Sequence, residues 1–176
     1  MKKIVVIGPE STGKSTLCEE LAEHYNTVWC PEYAREYLLQ HGTDYTYNDL
    51  TTIANGQLLL EAEVAAAARN NMFIVDTDLY VMKVWYEVAF AHCPTWILKA
   101  LATAHCDLYL LCSTDLPWAQ DALREYPELK TRQRLFGMYK DILIHSGIPW
   151  IEIRGTERQR LQSAVQAIDH FFHTKQ

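Results

Sequence analysis

The strongest constraint on the fold lies near the amino terminus, where a glycine-rich segment separates a strand pattern from a helix pattern. Residues 3–7 read KIVVI, a short run of residues that favour β-strands. Residues 8–15 then read GPESTGKS, and apolar residues recur at helical spacing from residue 17 onward. A strand, a glycine loop and a helix in that order predict a βα unit with the loop at the carboxyl end of its strand.

The segment GPESTGKS satisfies the pattern GxxxxGK[ST] at every fixed position and in the structural context that the pattern requires. Its glycines let the backbone N–H groups surround a phosphate, and the helix N-terminus adds positive potential. We expect Lys14 to bind the β- and γ-phosphates of ATP or GTP, and the Ser15 hydroxyl to ligate Mg²⁺. The predicted nucleotide-binding residues are Gly8, Pro9, Glu10, Ser11, Thr12, Gly13, Lys14, Ser15 and Thr16.

Four further apolar runs follow along the chain, at residues 27–30, 72–75, 108–112 and 150–153, with helical patterns between them. Continuous apolar strands that alternate with helices predict an α/β fold, with a parallel sheet covered by helices on both faces. Because no repeat or linker interrupts the pattern, we expect a single domain over residues 1–176. Ligands of such sheets bind beyond the carboxyl ends of the strands.

Composition narrows the range of partners. The net charge of -6 disfavours binding to a nucleic-acid backbone. The most apolar long stretch, residues 84–104, contains charged residues and Pro94, so we expect no membrane span. Five cysteines without a CxxC pair predict reduced thiols in a cytoplasmic protein.

Acidic residues follow the second and third predicted strands. Asp76 ends the third strand and is expected to hold the Mg²⁺ shell, although a helix N-cap is the alternative. Asp78 suits the capping role better, and catalysis and capping stay open for it. Glu32 is the first carboxylate after the second strand and is suited to accept a proton from a substrate hydroxyl. Arg35 lies within helical reach of Glu32, so a surface ion pair is the alternative interpretation.

A polar segment at residues 113–134 concentrates positive charge in an acidic protein, at Arg124, Lys130, Arg132 and Arg134. Arginines in a lid are suited to stabilise a transferring phosphoryl group, whereas a solvated helix face explains some of these charges equally well. Trp118 and Asp121 are candidates for the acceptor pocket, and for Trp118 the core is the alternative. Gly155 and Thr156 follow the fifth strand and are expected to border the adenine, although an N-cap would also explain Thr156.

Four segments together resemble one family: GPESTGKS, PEYAREY at residues 31–37, DTD at residues 76–78 and the pattern PWxxDxLR at residues 117–124. Over nearly the whole chain, the sequence resembles the ribosylnicotinamide kinase domain of the NadR family. The resemblance implies the P-loop kinase fold, with a five-stranded parallel sheet of order 2-3-1-4-5. It also implies ATP-dependent phosphorylation of the 5′-hydroxyl of nicotinamide riboside to nicotinamide mononucleotide. The DNA-binding and nucleotidyltransferase domains of full NadR proteins do not fit in 176 residues, so only the kinase step is expected.

Nicotinamide riboside carries a fixed positive charge, which acidic and aromatic side chains attract. The predicted acceptor-binding residues are Glu32, Tyr33, Arg35, Tyr37, Asp78, Trp118 and Asp121. The predicted catalytic residues are Lys14, Glu32, Asp78, Arg124 and Arg132, and the proton acceptor is left open between Glu32 and Asp78.

Two other functions compete with this one. A kinase for another nucleoside or a nucleotide would need the same machinery. A regulatory NTPase switch predicts a guanine-specific NKxD motif, which the sequence lacks, and it leaves the arginine-rich lid unexplained. The sequence does not decide between ATP and GTP, nor whether the chain forms a homo-oligomer.

Overall fold

The computed structural model describes residues 1–173 as a parallel sheet covered by helices. The predicted domain of residues 1–176 includes residues 174–176, which lie outside the described residues. The strands are β1 (Lys2–Ile7), β2 (Val28–Cys30), β3 (Met72–Asp76), β4 (Leu108–Cys112) and β5 (Trp150–Ile153). The helices are α1 (Lys14–His24), α2 (Tyr33–His41), α3 (Tyr47–Ala66), α4 (Leu79–Phe90), α5 (Thr95–Thr103), α6 (Leu129–Ser146) and α7 (Glu157–His173).

The five strands are all parallel and lie in the order β2-β3-β1-β4-β5, which confirms the predicted topology. β1 is the central strand, and its residues Ile4 to Ile7 are fully buried. Because side chains alternate across a strand, β1 contributes to both apolar layers of the protein. The loop that follows β1 therefore lies at the centre of the carboxyl edge.

Helices cover both faces of the sheet. On one face Ile4 and Val6 pack with residues of α1 and α7, among them Leu21 and Ile168. On the other face Val5 and Ile7 pack with residues of α4 and α6. A third apolar cluster joins α2, α3, α4 and α5 beside the sheet. All five cysteines are buried and free. None of the helices within residues 1–173 combines the length and apolar character needed to span a lipid bilayer.

Strand ends differ from the predicted ranges by one residue at three places. Thr27 was expected in β2, but its N–H donates to the Ala22 carbonyl at 2.9 Å, so it belongs to the turn after α1. β1 begins at Lys2, whose N–H donates to the Asn71 carbonyl. β3 extends to Asp76, which pairs in register with Val6. This last extension fixes the Asp76 backbone beside the glycine-rich loop.

The approach of α2 to α3 depends on a glycine in a helix interior. The Tyr33 ring lies over Gly56, where any added Cβ would overlap the ring atoms. The Tyr33 N–H also donates to the Gln57 side chain at 2.8 Å. Gly56 thus allows the contact that positions the start of α2, which follows directly on Glu32.

We predict that Gly56→Ala lowers the free energy of unfolding by about 1–2 kcal/mol, because the ring must move and overpacking outweighs the helix propensity gained. Gly137→Ala in α6 is the matched control, since nothing lies within 4 Å of its added Cβ. That control is expected to gain about 0.5–1 kcal/mol from helix propensity. Urea unfolding of both variants measures the difference, and equal stabilisation by both would show that the Tyr33 contact adds nothing.

Candidate active site at the carboxyl edge of the sheet

The glycine-rich loop adopts backbone conformations that only glycine supplies at low cost. Gly8 has φ 147°, and an added Cβ would lie 2.7 Å from the Cys112 carbonyl oxygen of β4. Gly13 is in the left-handed region at φ 74° and precedes the first residue of α1. The Thr12 hydroxyl donates to the Pro9 carbonyl at 2.7 Å and closes the loop. These contacts hold the loop against β4 and begin α1 directly behind it.

The predicted metal-binding pair, Ser15 and Asp76, meets at the mouth of this loop. The Ser15 hydroxyl donates to Asp76 Oδ2 at 2.5 Å. Asp76 is 1% exposed, and its Oδ1 has no hydrogen-bond partner among the described residues. Burial raises the pKa of Asp76, and the nearby Lys14 opposes that rise. Lys14 itself donates to the Pro9 carbonyl at 3.0 Å, inside the loop.

A cavity of about 240 Å³ extends from the loop between α2, α4, α6 and the lid segment. Its polar end is formed by residues 8–16 of the loop together with Glu32 and Arg35. Its other end is mainly apolar and aromatic, with Arg124 and Glu125 of the lid at its side. The residues of that end are Ala34, Leu38, Val81, Val84, Trp85, Val88, Leu123, Tyr126, Leu135 and Tyr139.

Glu32 lines the polar end of the cavity. It precedes the first residue of α2 but makes no capping hydrogen bond, so its carboxylate is not used by the helix. Burial raises the pKa of Glu32 to about 7, against the lowering effect of Lys14, and the charge of Asp76 adds to the rise. A carboxylate with such a pKa is suited to accept a proton near neutral pH.

Asp78, the other predicted proton acceptor, has a different environment. Its carboxylate accepts the Tyr80 N–H at 2.9 Å as the N-cap of α4, and the Tyr109 hydroxyl at 2.5 Å. It is buried and is not among the cavity residues, whereas the intervening Thr77 is. Thr77 has φ 64°, an unfavourable conformation for a β-branched residue. This turn separates Asp76 from Asp78, and the geometry matches the capping alternative for Asp78.

Four other predicted acceptor residues lie outside the cavity lining. Tyr33 packs on Gly56, and the Tyr37 hydroxyl donates to Asp49 at 2.5 Å. That Asp49 belongs to the capping box that opens α3. Asp121 accepts a hydrogen bond at 2.9 Å from Arg35, which does line the cavity. Trp118 lies in the lid beneath two arginines.

The predicted lid, residues 113–134, contains two parts. Residues 113–128 form no helix or strand, and residues 129–134 are the first turns of α6. Arg124 lines the cavity, and its guanidinium lies 5.8 Å from the Trp118 ring centroid. Arg132 lies 5.3 Å from the same ring and is only 3% exposed. Its Nε and Nη1 atoms have no hydrogen-bond partner among the described residues, which is costly for a buried cation.

Gly155 and Thr156, predicted to border the adenine, lie outside the cavity lining. The Thr156 N–H and hydroxyl donate to the Gln159 side chain at 2.9 and 3.2 Å, an arrangement typical of a helix start. The Gly155 N–H donates to Asp115 at 2.6 Å. The observed contacts of Thr156 thus agree with the N-cap alternative.

Arg160, in the first turns of α7, is a site residue that sequence reasoning missed. It is 2% exposed and pairs with Asp115. Its guanidinium donates to four backbone carbonyls, those of Thr12, Ser113, Ile153 and Gly155. One arginine thus joins the glycine-rich loop to the ends of β4 and β5. A single polar position in a helix pattern gives no sign of such a role.

Trp85, Tyr126 and Tyr139 were missed as cavity residues as well. The sequence does show an apolar stripe on α4, with the spacing i, i+3, i+4, i+7 at Val81, Val84, Trp85 and Val88. Such a stripe predicts a buried helix face, and sequence alone does not separate a face that lines a cavity from one in the core.

Comparison with known protein families shows the family to which the chain belongs. Residues 3–160 match the family described as "AAA domain". The chain belongs to this family. The chain is also 26% identical over 157 residues to the trifunctional NAD biosynthesis/regulator protein NadR of Escherichia coli (strain K12), an alignment that covers 87% of this chain and 38% of that protein.

Two solved NadR structures share the fold of this AAA-domain chain. A NadR protein in complex with NR superposes with a TM-score of 0.81 at 24% identity, over 97% of this chain and 49% of that one. A NadR protein in complex with NAD and AMP-PNP gives a TM-score of 0.79 at 22% identity, with the same coverage. The resemblance to NadR is therefore confirmed, and the fold is a NadR-like P-loop kinase fold. The chain spans about two fifths of the curated relative and about half of the solved proteins.

We predict that Arg160→Met lowers the free energy of unfolding by about 3 kcal/mol or more, because it leaves buried carbonyls and Asp115 without their donor. Arg158→Met is the matched control, since Arg158 is exposed on the same helix, and its effect is expected to stay within about 0.5 kcal/mol. Denaturant unfolding measures both. Equal effects would show that the Arg160 contacts do not stabilise the fold.

Proposed function

We propose that this chain is an ATP-dependent kinase that phosphorylates the 5′-hydroxyl of nicotinamide riboside. One observation carries the proposal: Lys14 of the glycine-rich loop and the unused Glu32 carboxylate line the same cavity. The positive-φ glycines of the loop support a phosphate-binding role, and burial raises the pKa of Glu32 in the same cavity to about 7. A phosphoryl donor and an acceptor hydroxyl would then meet inside one cavity.

The residues present fit a magnesium ion. Asp76 offers a buried carboxylate oxygen without a partner, next to the Ser15 hydroxyl, and oxygen ligands of this kind are those that Mg²⁺ prefers. When bound with ATP, the ion would neutralise charge on the β- and γ-phosphates. The preference for ATP over GTP is part of the proposal and draws on the AMP-PNP complex of the NadR protein.

The chain's own groups supply positioning and charge. Glu32 orients the acceptor hydroxyl and takes its proton as the phosphoryl group arrives. Lys14 and the cavity-lining Arg124 stabilise the negative charge of the phosphoryl group during transfer. Arg132 is buried, and two of its guanidinium nitrogens have no hydrogen-bond partner among the described residues. If the Arg132 side chain also approaches the transferring phosphoryl group, the phosphoryl oxygens would supply those acceptors. Positioning and electrostatics account for most of the acceleration in phosphoryl transfer.

The apolar and aromatic end of the cavity, which we term the acceptor end, suits a flat, cationic ring. The residues that give it this character are not the predicted acceptor residues. Trp85, Tyr126 and Tyr139 offer aromatic surface there, and Glu125 adds negative charge. A cation is attracted to an aromatic face by roughly 0.5–2 kcal/mol. This combination favours the pyridinium of nicotinamide riboside over a neutral base.

We predict that Glu32→Gln lowers kcat by about 100-fold or more, since it keeps the shape and removes the proton acceptor. In the wild type, kcat/KM for the acceptor should fall as the pH drops below about 7, because protonated Glu32 accepts no proton. That acidic limb should disappear from the residual activity of Glu32→Gln.

Glu36→Gln is the matched control for this prediction, because Glu36 is exposed on the same helix and is bonded only to Gln40 in the hydrogen bonds described for it. It should keep the wild-type profile. Near-normal turnover of Glu32→Gln, together with a collapse in Asp78→Asn, would transfer the role to Asp78.

We further predict that nicotinamide riboside is phosphorylated in preference to uridine, cytidine, adenosine and reduced nicotinamide riboside. The reduced form has nearly the same shape and no ring charge, so a preference of roughly 10-fold in kcat/KM would measure recognition of the charge. A coupled assay of ADP release across these nucleosides tests the order. Equal turnover of the cation, its reduced form and uridine would show that the cavity does not select by charge. If thymidine monophosphate or another nucleotide alone were phosphorylated, the chain would be a kinase of the alternative class.

A further inference from the structure

The carboxylate of Glu10 has partners on the acceptor side of the cavity. Glu10 occupies a variable position of the glycine-rich loop, GPESTGKS. Its Oε2 accepts the Glu125 N–H at 3.1 Å, and its Oε1 accepts the Tyr126 N–H. A loop of this type holds phosphate through backbone N–H groups, and a carboxylate repels phosphate. The Glu10 side chain is therefore used to hold the lid.

The backbone N–H groups in the non-helical part of the lid need hydrogen-bond acceptors from elsewhere in the protein. Residues 113–128 form no helix or strand, so their backbone N–H groups lack a regular ladder of partners. Ser11, the next residue of the loop, bonds the same segment: its hydroxyl oxygen accepts the Ala119 N–H at 3.0 Å. Two adjacent side chains of the loop thus hold the lid at two places.

The residues held by Glu10 are part of the acceptor end of the cavity. Glu125 and Tyr126 both line it. The Glu125 carboxylate accepts the Tyr45 hydroxyl at 3.2 Å, and the Tyr45 ring packs edge-on against Trp85 at 4.9 Å. A chain of contacts therefore leads from Glu10 through Glu125 and Tyr45, which lies behind the lining, to Trp85.

We propose that Glu10 is a positioning residue for the acceptor: its carboxylate fixes Glu125 and Tyr126 against the acceptor end of the cavity. The acceptor's identity rests on the kinase function proposed above, whereas the contact itself does not. Glu10 couples the two ends of the cavity, since the loop that holds the donor phosphates also orders the wall that holds the acceptor. A charge-assisted pair of hydrogen bonds to two successive backbone N–H groups is suited to that role.

The test uses Glu10→Ala, the conservative Glu10→Gln and the control Glu128→Ala. Glu128 is exposed at the end of residues 113–128, the part of the lid without helix or strand. Its side chain makes no capping hydrogen bond. Amide hydrogen exchange at Glu125 and Tyr126, followed by NMR in the full chain without ligands, measures the contact directly. We expect exchange at both amides to accelerate at least 10-fold in Glu10→Ala, less in Glu10→Gln and not in Glu128→Ala. Thermal unfolding confirms that each variant is folded.

Kinetics then separate positioning from a general structural role. In Glu10→Ala, KM for nicotinamide riboside should rise at least 10-fold while KM for ATP changes less than about 3-fold, and Glu10→Gln should recover part of the loss. Unchanged exchange at Glu125 and Tyr126 would overturn the proposal, whatever the enzyme's substrate. Accelerated exchange with an unchanged KM for the acceptor would overturn the positioning role. If the wild type phosphorylates no nucleoside, the proposed function is wrong. The exchange result would still show whether Glu10 holds the Glu125 and Tyr126 amides.

Discussion

The approach of the glycine-rich loop to strand β4 is the contact on which the rest of the site depends. An added side chain at Gly8 would collide with the Cys112 carbonyl oxygen, so only glycine allows the loop to lie this close to β4. Arg160 donates to the Thr12 carbonyl and so ties the other end of the loop to the ends of β4 and β5. Between these contacts the loop is fixed at the centre of the carboxyl edge. Asp76 ends β3, which is next to β1, and Glu32 follows β2, which is one strand further along the same edge.

Buried polar atoms without hydrogen-bond partners occur both beside this loop and in the lid. Asp76 Oδ1 and two nitrogens of Arg132 are buried without partners among the described residues. Folding leaves such atoms unpaired at a cost of about 1–3 kcal/mol each, and more for charged groups. Thr77, with a left-handed backbone, adds strain between Asp76 and Asp78. A bound metal ion would supply the missing partner of Asp76 Oδ1, which supports the proposed magnesium-dependent phosphoryl transfer.

Much of the fold could be predicted from the sequence, because strand runs, helix spacing and the glycine pattern are local signals. The sheet order came from the family resemblance, since parallel pairing between distant strands leaves no local mark. Residues of the candidate site could be predicted where they stand at or close behind a strand end, as Asp76 and Glu32 do. It could not be predicted where contacts are long-range: Trp85 resembles a core residue in its helix, and Arg160 gives no sign of four carbonyl partners.

The central claim is that the phosphoryl group passes from ATP to a nucleoside held in the same cavity, and product stoichiometry tests it most directly. Purified protein is incubated with Mg²⁺ and ATP, with and without nicotinamide riboside, and ADP and phosphorylated nucleoside are quantified by mass spectrometry. We predict equal amounts of both products, negligible ADP without the nucleoside, and neither product with folded Lys14→Ala. ADP released at the same rate with and without the nucleoside, with no phosphorylated product, would contradict the account.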